Sequence, residues 1–65
     1  MKTLFYILRK HANGTFRWVE AVNDADTAEA RVRQLCAESQ GEFVVFRNID
    51  LRVVATWSEN TYKRI

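Results

Sequence analysis

Four short apolar runs and one helix-favouring run divide the chain. Residues 2–10 contain Leu4-Phe5-Tyr6-Ile7-Leu8, a continuous apolar stretch that is too short for a helix and rich in strand formers. Asn13-Gly14 follows, and an Asn-Gly pair between two such runs is the strongest short-range signal for a tight hairpin. A second strand over 16–22, a third around Phe43-Val44-Val45-Phe46 and a fourth over 51–57 complete the strand set. The turn around Asn48-Ile49-Asp50, centred on Ile49 and Asp50, joins the last two.

Between the hairpins, residues 24–40 are dense in helix formers, and the chain holds no proline. Asp24 or Asp26 is placed to cap the first free N–H groups, and Asp26 with Glu29 has the spacing of a capping box. Gly41 is expected to end the helix in the left-handed conformation. Ala25, Ala28, Val32, Leu35, Cys36 and Ser39 recur at helical spacing and predict the buried stripe. Glu29 and Arg33 form a four-residue charge pair on the polar side.

Alternation along each strand assigns faces. A two-residue turn at Asn13-Gly14 sets Arg9 opposite Trp18, Leu8 opposite Val19, Ile7 opposite Glu20 and Phe5 opposite Val22. One face then carries Leu4, Tyr6, Leu8, Val19 and Ala21. The other carries Phe5, Ile7, Arg9, Phe16, Trp18, Glu20 and Val22. In the second hairpin, Val44, Phe46, Leu51, Val53, Ala55 and Trp57 fall together, against Phe43, Val45, Arg47, Arg52, Val54 and Thr56. Burying a charge is costly unless it is paired. The faces without mid-strand charges are therefore expected beneath the helix.

The resulting fold class is α+β, a two-layer ββαββ domain over 1–58 with one four-stranded sheet and a single helix on one face. Residues 59–65 read as a polar, basic tail that frays or packs against a neighbour. This succession of elements resembles β-grasp folds of the protein-G type, which implies parallel first and last strands at the centre of the sheet. An all-antiparallel order with the first and third strands central is the alternative.

Composition alters this picture in one respect. At 65 residues a domain buries only about 60 % of the surface its unfolded chain exposes, so the core is thin and further burial is welcome. Ten Lys and Arg against eight Asp and Glu give a net charge of +2, which permits nucleic acid without implying it. A single cysteine, no signal-peptide pattern and no run long enough to cross a bilayer set the expectation of a cytoplasmic protein without membrane contact.

Candidate chemistry is sparse. His11 and Cys36 are the sole His and Cys, too few for a zinc site and lacking the partners of a thiol nucleophile. Capping accounts for Asp24 and Asp26 better than a calcium loop does. The turn accounts for Asn13-Gly14-Thr15 better than glycosylation does. Glu20 as a lone carboxylate on its face makes no acid–base pair. The expectation is therefore no catalytic residue, no metal and no cofactor.

What stands out is the face assigned away from the helix: Phe5, Ile7, Arg9, Phe16, Trp18, Glu20, Val22, Phe43, Val45, Arg47, Arg52 and Val54. Aromatic anchors among charges are common at protein interfaces, and a patch of this size is uncommon on a soluble monomer. The expected role is a non-enzymatic interaction module that self-associates, with Arg9, Arg47 or Arg52 of one copy meeting Glu20 of the other. The alternative is single-stranded nucleic-acid binding on the same face, with Phe5, Trp18 and Phe43 stacking bases.

Overall fold

The computed structural model describes residues 4–39 and 41–65, and shows one helix packed on an antiparallel sheet of five strands. The elements are β1 (Phe5–Lys10), β2 (Phe16–Val22), α1 (Ala25–Glu38), β3 (Glu42–Arg47), β4 (Arg52–Ser58) and β5 (Thr61–Arg64), and the strand order is β2-β1-β3-β4-β5. The first and third strands are neighbours and antiparallel. The parallel central pair that a β-grasp likeness implied is absent among the described residues.

The residues expected to form a tail make β5, which pairs with β4 from Ser58 opposite Thr61 to Ala55 opposite Arg64. Their turn is the two-residue kind expected earlier in the chain. Glu59 and Asn60 both have positive φ, 51° and 60°, as a type I′ hairpin needs. Asn13-Gly14 instead belongs to a three-residue loop: the Gly14 N–H donates to the His11 carbonyl, the His11 N–H donates to Thr15, and of the pair only Gly14 has positive φ. Asn13 fixes that loop by accepting from the Thr15 N–H and hydroxyl through Oδ1.

Helix α1 starts as its sequence dictates. Asp24 accepts the Thr27 N–H at 2.7 Å, and this bond draws the carboxyl below the ordinary aspartate range. Its end differs from expectation, because Ser39 leaves the helix in an extended conformation and Gly41 does not take positive φ. What position 41 meets instead is a side chain. A Cβ there would sit 3.0 Å from the Arg9 guanidinium, which packs over it.

The core lies beneath Ala28 and Val32 and consists of Ile7, Phe43, Val45 and Ala55, with Phe5, Val19, Val22, Leu35, Cys36, Val54, Trp57 and Tyr62 packed against it. Ile7, Phe43 and Val45 therefore face the helix, the reverse of the assignment that avoided charges. Two β-bulges, in β2 and β4, keep part of those strands out of this reversal. In β2 the pairing passes from Ile7 opposite Glu20 to Leu8 opposite Trp18, leaving Val19 as the extra residue. In β4 it passes from Phe46 opposite Val53 to Val45 opposite Ala55, leaving Val54 as the extra residue.

Each bulge flips parity partway along its strand. Glu20 and Val22 point to the helix side while Trp18 and Phe16 point away; Ala55 and Trp57 point to the helix side while Val53 points away. The charge argument failed because the charged positions lie at the margins. Across the sheet, one row reads Glu20, Ile7, Val45, Ala55, Arg64, with apolar residues in the middle and a charge at each edge strand. Glu20 pairs with Arg31 on one flank of the helix, and Arg64 bonds Asp26 and Glu29 on the other. Arg31 and Glu20 remain about a third exposed, so neither pays a full desolvation penalty and the pair contributes at most about 1 kcal/mol.

This arrangement has a direct test. Ile7→Ala should destabilise the dilute chain by about 2–5 kcal/mol in urea unfolding, whereas Leu8→Ala, on the opposite face, should cost much less. Equal losses would contradict the face assignment.

Candidate functional site

The helix-free face is built from three cross-strand rows. Ala21, Tyr6, Phe46 and Val53 form the first; Trp18, Leu8, Val44 and Thr56 the second; Phe16, Lys10 and Glu42 the third. Residues directly opposite one another in a sheet share a face, so the bulges that carry Glu20 and Ala55 to the helix side set Trp18, Phe16 and Val53 beside Leu8, Tyr6 and Phe46 on the other. Trp18 is 58 % exposed and Phe16 48 % exposed, large values for such side chains. The Phe16 ring meets Phe46 edge-on at 6.3 Å, reaching across β1.

Tyr6, Leu8, Trp18, Phe46 and Leu51 line an apolar hollow of about 240 Å³ on this face. Leu51 belongs to the loop between β3 and β4 and is 66 % exposed. Its backbone is left-handed, with φ 54°. Several bonds hold it there: the Leu51 N–H donates to the Arg47 carbonyl at 2.8 Å, Arg47 makes a two-pronged contact with Asp50, and Asp50 accepts the Arg52 N–H. Asn48 ties the loop to β1 by accepting the Leu4 N–H and donating its own N–H to the Leu4 carbonyl. A left-handed position favours glycine, and an L-residue there costs about 1–2 kcal/mol. Here it is occupied by a leucine directed at the hollow.

The structure divides the residues that the sequence placed on one interaction face. Phe16 and Trp18 lie on the helix-free side. Phe5, Ile7, Val22, Phe43, Val45 and Val54 pack in or against the core instead. Arg9 also belongs to the helix side, with its guanidinium over the Phe43 ring and a hydrogen bond to the Ser39 hydroxyl. Arg47 and Arg52 sit opposite each other at the end of the sheet, the former engaged with Asp50. Glu20 is bonded to Arg31 of its own chain, which removes it as the partner of an arginine from another copy.

Sequence reasoning missed Tyr6, Leu8, Phe46 and Leu51. The adjacent pairs Trp18-Val19 and Val53-Val54 signal the bulges in β2 and β4, but Tyr6, Leu8 and Phe46 lie on unbulged strands whose facing follows only from the strand order, which puts Glu20 on an edge.

A second depression of about 330 Å³ lies beyond the edge of β2, where Arg9, Arg17, Trp18 and Glu38 meet the end of the helix. Arg9 and Arg17 are direct cross-strand neighbours, a like-charge pairing, and Glu38 lines the same depression. Elsewhere on the helix side, Arg33 lies over the Trp57 and Tyr62 rings, and Tyr62's hydroxyl pKa is raised chiefly by burial. Burial likewise pushes the Cys36 thiol up and favours its unreactive neutral form, against the opposing influence of Arg9. Among the described residues, no three His, Cys, Asp or Glu side chains come together as metal ligands.

Two outcomes follow from the β3–β4 loop. Leu51→Gly should raise stability by about 1 kcal/mol in thermal or urea unfolding, because it relieves the left-handed backbone. Asp50 is held down from the ordinary 3.8 to about 2, mainly by its hydrogen bonds from Arg47. A depressed carboxyl stabilises the fold above its unfolded value and loses that contribution as pH falls through the folded one. Acid titration from pH 4 to 2 should therefore destabilise the native chain more than Asp50→Asn over the same window.

No family model, no curated protein and no solved structure matches this chain.

Proposed function

We propose that this chain is a small non-enzymatic interaction module that self-associates through the helix-free face of its sheet. The observation that carries this reading is the apolar hollow formed by Tyr6, Leu8, Trp18, Phe46 and Leu51, with Trp18 and Leu51 each more than half exposed at its border. Exposing this much contiguous aromatic and aliphatic surface is unfavourable in water, and covering it releases that cost.

Size supports a second copy as the cover. The molecule measures 33 × 23 × 20 Å, so a face bounded by its two longer dimensions approaches the roughly 800 Å² that each partner contributes to an interface of ordinary size. The core beneath the helix holds few fully buried large side chains, Ile7, Val32 and Val45 among them, so sheet-on-sheet burial adds materially to stability. Trp18 is the natural anchor, because interface energy concentrates in aromatic residues that become fully desolvated.

Sedimentation equilibrium tests the reading. The wild-type chain should be a dimer at micromolar concentration, and Trp18→Ala should weaken association about 10-fold or more while leaving the fold intact by circular dichroism. A wild-type chain that stays monomeric at hundreds of micromolar would refute it. Tight binding of labelled single-stranded oligonucleotide that weakens steeply with salt would instead favour base stacking on Tyr6, Trp18 and Phe46.

A further inference from the structure

The end of the helix-free face nearest the first hairpin loop carries two opposite charges, Lys10 on β1 and Glu42 on β3. They are direct cross-strand partners, both exposed. Among the described residues neither takes part in an ion pair within the chain. The remaining cross-strand positions of β1 and β3 on this face are apolar: Leu8 opposite Val44 and Tyr6 opposite Phe46. Polarity is therefore confined to one end of the central strands.

Resting on the self-association proposed above, we infer that two copies stack face to face about a two-fold axis that runs along the strands between β1 and β3, so that Lys10 of each copy pairs with Glu42 of the other. Such an axis lays β1 of one protomer over β3 of its partner. Tyr6 then comes over Phe46 and Leu8 over Val44, while both Lys10–Glu42 contacts form by symmetry. Aligned sheets cross at about 30°, which displaces the ends of the strands by an amount a lysine side chain can span.

The competing two-fold, perpendicular to the strands, fails on electrostatics. It would place Lys10 and Glu42 over Tyr6 and Phe46 of the partner, taking both charges out of water beneath apolar side chains that offer them no opposite charge and leaving each only its own cross-strand neighbour. Paired at the rim, they stay partly hydrated and fix the register while the apolar rows supply most of the affinity.

Charge reversal in separate chains distinguishes these arrangements. The Lys10→Glu chain carries two acids at that end and the Glu42→Lys chain two bases, so each alone should dimerise at least about 10-fold more weakly than wild type. Mixed in equal amounts, they should form a heterodimer, seen as a mixed-mass species in native mass spectrometry. Circular dichroism verifies that both variants are folded. If either is not, Lys10→Gln and Glu42→Gln take their place, each expected to weaken association several-fold and flatten its salt dependence.

A wild-type dimer whose affinity is unchanged by all of these substitutions, or a mixture that forms no heterodimer, overturns the register and leaves self-association standing. A wild-type monomer overturns both.

Discussion

Everything in this fold depends on seating a short helix with a narrow buried stripe on the middle of a sheet wider than itself. Ala28 and Val32 are small, so the helix comes close to the sheet, and the row formed by Ile7, Val45 and Ala55 fits beneath them. The same row ends in Glu20 on β2 and Arg64 on β5, which reach up to Arg31 on one flank and to Asp26 and Glu29 on the other. Partly exposed ion pairs of this kind add little energy. Their contribution is positional, since they mark both sides of the helix and let the edge strands carry charge on the side that faces it.

The bulges at Val19 and Val54 make that seating compatible with the sequence. Without them, Trp18 and Phe16 would share a face with Glu20, and Val53 would share one with Ala55. With them, the alternation of β2 and β4 changes phase partway along, so Glu20 and Val22 join the helix side while Trp18 and Phe16 stay on the other. A sheet bent in this way presents an apolar hollow opposite the helix, so the device that completes the core also creates the exposed surface. Leu51, held left-handed by the Arg47–Asp50 contact, lines the hollow at an energetic disadvantage to the isolated fold.

Local chemistry was readable wherever it acts over a few residues. An aspartate cap at Asp24 or Asp26, which the structure resolves to Asp24, the positions of four strands, the pairing of Phe5 with Val22 and of Phe46 with Val53, and the stripe of Ala28, Val32, Leu35 and Cys36 all follow from spacing and residue type. Residues Thr61–Arg64 were harder to read, because a polar strand shows its pattern only when Tyr62 finds Trp57 and Arg64 finds the helix. Asn13-Gly14 was read as a two-residue turn, whereas the loop takes three residues and β2 absorbs the difference at Val19. That is why the far end of the first hairpin keeps the expected register while its near end does not.

The sequence by itself determined that the chain is α+β, that its helix begins at Asp24 and separates strand pairs, and that more apolar surface exists than one helix can cover. Tertiary structure alone decided which surface that is. Alternation is a local rule and charge burial is a property of position across the whole sheet, so a carboxylate at mid-strand says nothing about facing the helix until its strand is known to lie at the edge. Glu20 was central along β2 and peripheral across the sheet, and the second of these governed its hydration.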